Sequence, residues 1–200
     1  MNIGILLFDA VELLDMASPY EVFTTAARVW ARQQPAGAAP LFRVLTLARD
    51  AAPVQARAGL RLQPDHGLTD HPPLDCAIVP GGVVDAELAR PELIAWIARQ
   101  QHEAGLLASV CTGSLLLARA GVLDGLEATT HWEDLDALRA LRPEVRVRDD
   151  QRWVDQGRVL SSAGISAGLD MSLHLVCRLH SDALAWQTAR QMDYDWKDHP

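Results

Sequence analysis

Ala108-Ser109-Val110-Cys111-Thr112-Gly113-Ser114 is the stretch on which the fold of this 200-residue chain turns. An apolar run from Leu106 to Val110 ends in a cysteine, and a turn of small residues leads into the helix-like run Leu115-Leu116-Leu117-Ala118-Arg119. Strand, sharp turn and helix put a thiol at an element junction, where backbone N–H groups are free to stabilise a thiolate or an oxyanion. This is a nucleophile elbow with sulfur in place of the serine hydroxyl. The position predicts a lowered pKa and a larger thiolate fraction at Cys111. A buried structural cysteine is the alternative, since cysteine packs as a small hydrophobe. The permissive Thr112-Gly113-Ser114 turn favours the nucleophile, whereas Cys76 and Cys177 read as core residues.

Working outward, apolar runs alternate with amphipathic stretches. Ile3 to Phe8, Phe42 to Leu47 and Leu74 to Val79 read as strands, the first of the continuous kind buried on both faces of a parallel sheet. Asp15 to Arg32 and Glu92 to Glu103 carry helical periodicity, with Pro91 in the first turn of the second. Val54 to Leu62 predicts two short strands turning at Gly59, and His66 to Pro73 a loop. After the Cys111 helix, expected to end near Gly121, come a short strand at Ala128 to Thr130 and a helix from about Trp132 to Leu141. Val145 to Val147, Trp153-Val154 and Arg158 to Ser161 predict small strands, and Ser166 to about Met192 one long final helix. With no Pro/Gly-rich linker and no repeat, the pattern predicts a single domain over residues 1–200. Its class is a three-layer, flavodoxin-like α/β sandwich with a mostly parallel sheet. Ligands in such folds bind beyond the carboxyl ends of the strands. Asp9 to Asp15, Pro80-Gly81-Gly82 and Cys111-Thr112 all lie there.

A net charge of -8 disfavours nonspecific nucleic-acid or anionic-membrane binding. The N-terminus lacks a basic leader pattern, and no stretch approaches the ~20 apolar residues of a membrane span. The expected compartment is therefore the cytoplasm. Three cysteines without CxxC spacing argue against a disulfide framework or thiolate metal site, and the seven histidines form no HExxH-type cluster. Neither GxGxxG nor GxxxxGK[ST] occurs, so no metal, nucleotide or other cofactor is expected.

The acid partner of the thiol must come from another loop. Asp15 is the first candidate and Glu12 its competitor; Asp15 also reads as a helix N-cap. A carboxyl beside a thiolate should have a raised pKa and could shuttle a proton near neutrality. Gly81 and Gly82 read as an oxyanion or water-positioning turn, since paired glycines let backbone N–H groups approach a ligand. His131 reads as either pocket wall or helix cap. In Gly164-Ile165-Ser166-Ala167-Gly168-Leu169-Asp170, Ser166 is the expected cap, Asp170 suits the helix dipole, and the stretch is scaffold or pocket lining.

Five segments together carry a resemblance. They are Ile3 to Phe8 followed by Glu12-Leu13-Leu14-Asp15, then Ile78-Val79-Pro80-Gly81-Gly82, then Val110 to Ser114. Ala128-Thr129-Thr130-His131-Trp132 and Ser162 to Asp170 complete the set. On these the chain is identified as a member of the ThiJ/PfpI superfamily, the class I glutamine amidotransferase-like group. Within it the chain resembles the isocyanide hydratases in its Cys-Thr-Gly-Ser turn, its Thr-Thr-His-Trp segment and an aspartate beside the thiol. The resemblance implies Cys111 as nucleophile, Asp15 as acid, and Thr112 holding the carboxylate or orienting water; Glu12, His131 and Ile165 are candidate pocket residues from their positions after the strands. It implies a cofactor-independent hydration of a small electrophile, an isocyanide becoming an N-substituted formamide, by a homodimer. A glyoxalase-like activity on methylglyoxal and a non-enzymatic redox-sensing or ligand-binding role are the alternatives. The same core forms the ligand domain of AraC-type regulators. Only eight residues follow Met192, which leaves no room for a helix-turn-helix, so no nucleic-acid partner is expected.

Overall fold

A computed structural model describes residues 1–199. Its spine is a seven-stranded sheet of β1 (Asn2–Leu6), β2 (Arg43–Ala48), β5 (His66–Gly67), β6 (Cys76–Val79), β7 (Leu106–Val110), β10 (Trp153–Asp155) and β11 (Val159–Ser162). The spatial order is β10-β11-β7-β6-β1-β2-β5, and every pairing is parallel except β10 with β11. Strands β3 (Val54–Gln55) and β4 (Arg61–Leu62) make a separate hairpin, and β8 (Glu127–Ala128) pairs with β9 (Arg146–Val147). The helices fall into two packed groups, one for each face. One holds α1 (Leu13–Ala31), α6 (Ala167–Leu179) and α7 (Asp182–Gln191). The other holds α2 (Asp85–Leu88), α3 (Pro91–Glu103), α4 (Gly113–Arg119) and α5 (Leu135–Leu141). This is the three-layer α/β sandwich with a mostly parallel sheet that the sequence pattern implies.

Burial on both faces explains the unbroken apolar runs. Every residue of β6 and β7 is buried, as are Ile3, Ile5 and Leu6 of β1. The register places Ile5 opposite Ile78 and Ile78 opposite Ala108, so three strands end together at one edge of the core. From β1 the chain runs one way to β2, while β6 and β7 lie on the other side. The crevice at that reversal is where this class of sheet binds ligands.

Three expectations need correction. The final helix is two helices. Ser181 interrupts it and caps α7, its hydroxyl accepting from the Leu184 N–H, and this Ser-Asp start signal competes with the apolar periodicity running through it. His66-Gly67 is a short edge strand against β2 rather than loop. The helix expected from Trp132 begins as a 3-10 turn, Trp132–Asp134, before α5. Helix α2 carries no sequence signal beyond its four residues. Asp170 is fully buried and does more than complement a dipole. It accepts from Arg152 at 2.6 and 2.9 Å, from the Tyr194 hydroxyl at 3.0 Å and from the Lys197 N–H at 3.0 Å, tying residues 194–197 to α6. No helix among the described residues is long and apolar enough to cross a membrane.

Candidate functional site

The loops after β1, β6 and β7 meet because they are stitched to one another. The Glu12 N–H donates to the Gly81 carbonyl at 2.8 Å, the Val83 N–H to the Ala10 carbonyl at 3.1 Å, and Val11 bridges Gly82. The third loop is pinned through Thr112, whose hydroxyl accepts from the Gly82 N–H at 2.8 Å and donates to the Gly82 carbonyl at 2.9 Å. Glycine is required for this proximity. A Cβ at Gly81 would lie 2.5 Å from the Thr112 nitrogen, and one at Gly113 would lie 2.1 Å from the Val79 carbonyl oxygen.

Cys111 sits between β7 and α4 with φ of +56°, a left-handed conformation that costs a non-glycine residue about 1–2 kcal/mol. The elbow is held from three sides. Its N–H donates to the Ser162 carbonyl at 3.1 Å, and its carbonyl accepts from the hydroxyls of Thr130 at 3.0 Å and Ser114 at 3.1 Å. The Thr112 N–H is directed at the sulfur.

Asp15 lies in the first turn of α1 and is fully buried. It is not the helix cap: Glu12 holds that position, and no side chain caps α1. The Asp15 carboxyl instead turns to the crevice. One oxygen accepts from the Gly81 N–H at 3.2 Å, and the other has no well-formed hydrogen bond beside the thiol. Burial pushes Asp15 up from 3.8 to about 7; the thiol and the Gly81 N–H pull it back, and Glu12 adds to the rise. Burial and the neighbouring Asp15 charge push Cys111 up to about 12, opposed by the Thr112 N–H. The thiol pKa expected from the elbow position alone is therefore corrected in direction, because loss of water and an adjacent carboxylate outweigh the N–H groups of the turn. The two groups influence each other's protonation: a charge on Asp15 disfavours a charge on the sulfur, and the reverse holds for the carboxyl.

Two further expectations change. The N–H groups of Gly81 and Gly82 are taken by Asp15 and Thr112, so they position those side chains and are not open to an oxyanion. Likewise the Thr112 hydroxyl donates its proton to the Gly82 carbonyl, so it does not donate to the Asp15 carboxylate, and only one acceptor lone pair is left for water.

The sulfur opens onto a cleft of about 500 Å³. Glu12, Gly82, Thr112, His131 and Ile165 line it, while Asp15 lies behind the thiol. Glu12 reaches Arg57 at 3.5 Å across the mouth. His131 has both expected roles: it is pocket wall, and its Nδ1 accepts from the Glu133 N–H at 3.4 Å as a cap. Arg57, Asp85, Glu133 and Asp134 were not singled out in the sequence, since scattered charges carry no spacing signal. Gly164 covers the thiol; a Cβ there would lie 2.7 Å from Sγ and 2.6 Å from His131 Cδ2. Gly164→Ala is expected to destabilise the protein by about 1–3 kcal/mol and to slow iodoacetamide labelling of Cys111. A variant with wild-type melting temperature and labelling rate would show that this contact does not constrain the site. Cys76 is fully buried within β6 and Cys177 half-buried on α6. Among the described residues, no three His, Cys, Asp or Glu side chains are grouped to hold a metal ion.

Comparison with known proteins bears on the family and the fold. A profile described as the DJ-1/PfpI family matches residues 1–178. The chain is 36% identical over 194 residues to the HTH-type transcriptional regulator GbdR of Pseudomonas aeruginosa, covering 97% of this chain and 51% of the regulator. It is 35% identical over 195 residues to the isonitrile hydratase of Pseudomonas putida, covering 97% of this chain and 78% of that enzyme. The chain thus spans about half the length of the regulator, and the two relatives stand level in identity. The expectation of no nucleic-acid partner gains nothing from relatives that include a transcriptional regulator. The crystal structure of a ThiJ/PfpI family protein from Pseudomonas syringae superposes with a TM-score of 0.83 at 28% identity, over 97% of this chain and 75% of that one. Fold, elbow and family profile converge: the chain belongs to the DJ-1/PfpI family.

Proposed function

We propose that the chain is a cysteine-dependent enzyme, acting as a single domain, that hydrates an isocyanide to an N-substituted formamide. The observation that carries this reading is the Cys111–Asp15 pair, a nucleophile and a carboxyl with a pKa of about 7, at the wall of a small-molecule-sized cleft. The similarity to an isonitrile hydratase supports the substrate class. In the first step the sulfur bonds to the terminal carbon of R–N≡C, and the proton of the pair passes through Asp15 to that carbon, giving a thioimidate. Water then adds to the same carbon, the carbon–sulfur bond breaks, and the thiolate regains a proton as R–NH–CHO leaves. Atoms balance with water as the sole co-reactant. The Thr112 N–H steadies negative charge on sulfur before attack and after release.

A second reading is a ligand-sensing role, favoured by the similarity to GbdR over half of that regulator's length. A substrate panel distinguishes the two. Formamide production from aliphatic isocyanides, lost in Cys111→Ala and with no lactate formed from methylglyoxal, supports the hydratase. Lactate from methylglyoxal instead points to the glyoxalase-like alternative. Binding without turnover of either supports the sensor. The working unit is proposed to be a homodimer, as the family resemblance implies. Leu13 and Leu14, at the start of α1, are exposed apolar side chains that association could cover.

A further inference from the structure

The cleft in front of Cys111 carries charge that the hydration chemistry does not use. Four carboxylates line it, Glu12, Asp85, Glu133 and Asp134, against the single guanidinium of Arg57. Arg57 is already engaged with Glu12 at 3.5 Å. Among the described residues, Asp85, Glu133 and Asp134 have no lysine or arginine partner; Glu133 and Asp134 each approach only His131 Nδ1, at 3.6 Å. The rest of the wall includes Val83, Val84, Leu88, Leu115 and Leu141. Of the acids without a cationic partner, Asp134 is partly withdrawn from solvent, with a side-chain exposure of 33%, while Glu133 and Asp85 are exposed. The field of Asp134 is therefore less screened than that of a fully exposed charge. A cleft lined by one sign over low-dielectric walls concentrates ligands of the opposite sign and repels those of its own.

We propose that this cleft selects small ligands bearing a positive charge, an amine protonated at neutral pH on a short apolar body, over neutral or anionic ones. The proposal rests on the reading of Cys111 as a reachable, reactive thiol, and not on which electrophile that thiol attacks. It narrows the substrate class: the R group of R–N≡C, or of any other electrophile, carries the cation toward Asp134, Glu133 and Asp85 while its apolar portion lies along Leu88, Leu115 and Leu141.

Charged thiol reagents test it without turnover. The full chain is treated with three methanethiosulfonates that differ in head group: trimethylammonioethyl, methyl and sulfonatoethyl. Their rates at Cys111, resolved from Cys76 and Cys177 by mass spectrometry, are divided by their rates with free 2-mercaptoethanol. The normalised cation-to-anion ratio is expected to exceed one by about tenfold or more at low salt. It should fall as salt rises from about 20 mM to about 500 mM. The paired substitutions Glu133→Gln and Asp134→Asn should reduce it severalfold. A normalised ratio of one or below, or one that neither salt nor the substitutions change, overturns the proposal. If no reagent labels Cys111, this proposal and the hydratase reading both fall. A parallel assay compares pentyl isocyanide with 3-(dimethylamino)propyl isocyanide. A high labelling ratio with neither isocyanide consumed removes the hydratase reading and leaves the charge selectivity standing. Turnover of both with a ratio of one removes the charge selectivity alone.

Discussion

Cys111→Ala is expected to abolish isocyanide turnover, by at least about a thousandfold, while leaving the fold intact. No other group in the cleft can form the carbon–sulfur bond on which the two-step hydration depends, because Cys76 is sealed in β6 and Cys177 lies on α6, outside the residues that line the cleft. The fold should survive because alanine keeps the Cβ that the elbow already accommodates. The bonds to Ser162, Thr130 and Ser114 all come from the Cys111 backbone. Alanine inherits the φ of +56° and its strain, so the melting temperature should move little. Steady-state kinetics, far-UV circular dichroism and a thermal melt together check this. Wild-type turnover in a folded Cys111→Ala protein would overturn covalent catalysis at this site.

Asp15→Asn should separate activity from stability in opposite directions. Turnover is expected to fall by about a hundredfold or more, since the proton carried to the substrate carbon loses its donor. The wild-type kcat/KM should rise with pH to a plateau through an apparent pKa of about 7 that belongs to the Cys111–Asp15 pair, and the variant should lack that inflection. Stability moves the other way. The folded Asp15 pKa lies above its unfolded value of 3.8, so the native state holds the proton more tightly. Stability is therefore lost as pH rises from about 4 to about 7, by roughly 4 kcal/mol at most. Asparagine is neutral throughout and can still accept from the Gly81 N–H. Urea unfolding at pH 5 and pH 8 should show the variant gaining on the wild type at the higher pH. An equal loss of stability at both values would mean that Asp15 is a packing residue.

How much of this could be read from the chain depends on the range of the interactions. The sheet was legible because strands buried on both faces are predominantly apolar, as Ile3 to Leu6 and, with the single exception of the buried Ser109, Leu106 to Val110 are. The elbow was legible because Val110 to Ser114 changes in five residues from apolar strand to small-residue turn. The break at Ser181 was hidden by apolar periodicity that continues through it, although the local Ser-Asp signal was present. What local pattern cannot contain is who meets whom. Gly81 and Gly82 looked like free N–H donors because Asp15 and Thr112, 66 and 30 residues away, take those N–H groups only once three loops have met. The direction of the Cys111 shift was missed for the same reason. A turn can be read from neighbours in sequence, but burial and an opposing carboxylate belong to the folded crevice.

The left-handed backbone at Cys111 also bears on which residue suits the elbow. A glycine at the elbow would relieve the conformation without moving any of its backbone bonds, at the cost of a buried side chain and of greater freedom in the unfolded chain. Cysteine at the elbow therefore carries a backbone strain that its buried side chain offsets only in part. The elbow is thus a position where the backbone's preference for glycine and the chemistry's need for sulfur pull in opposite directions.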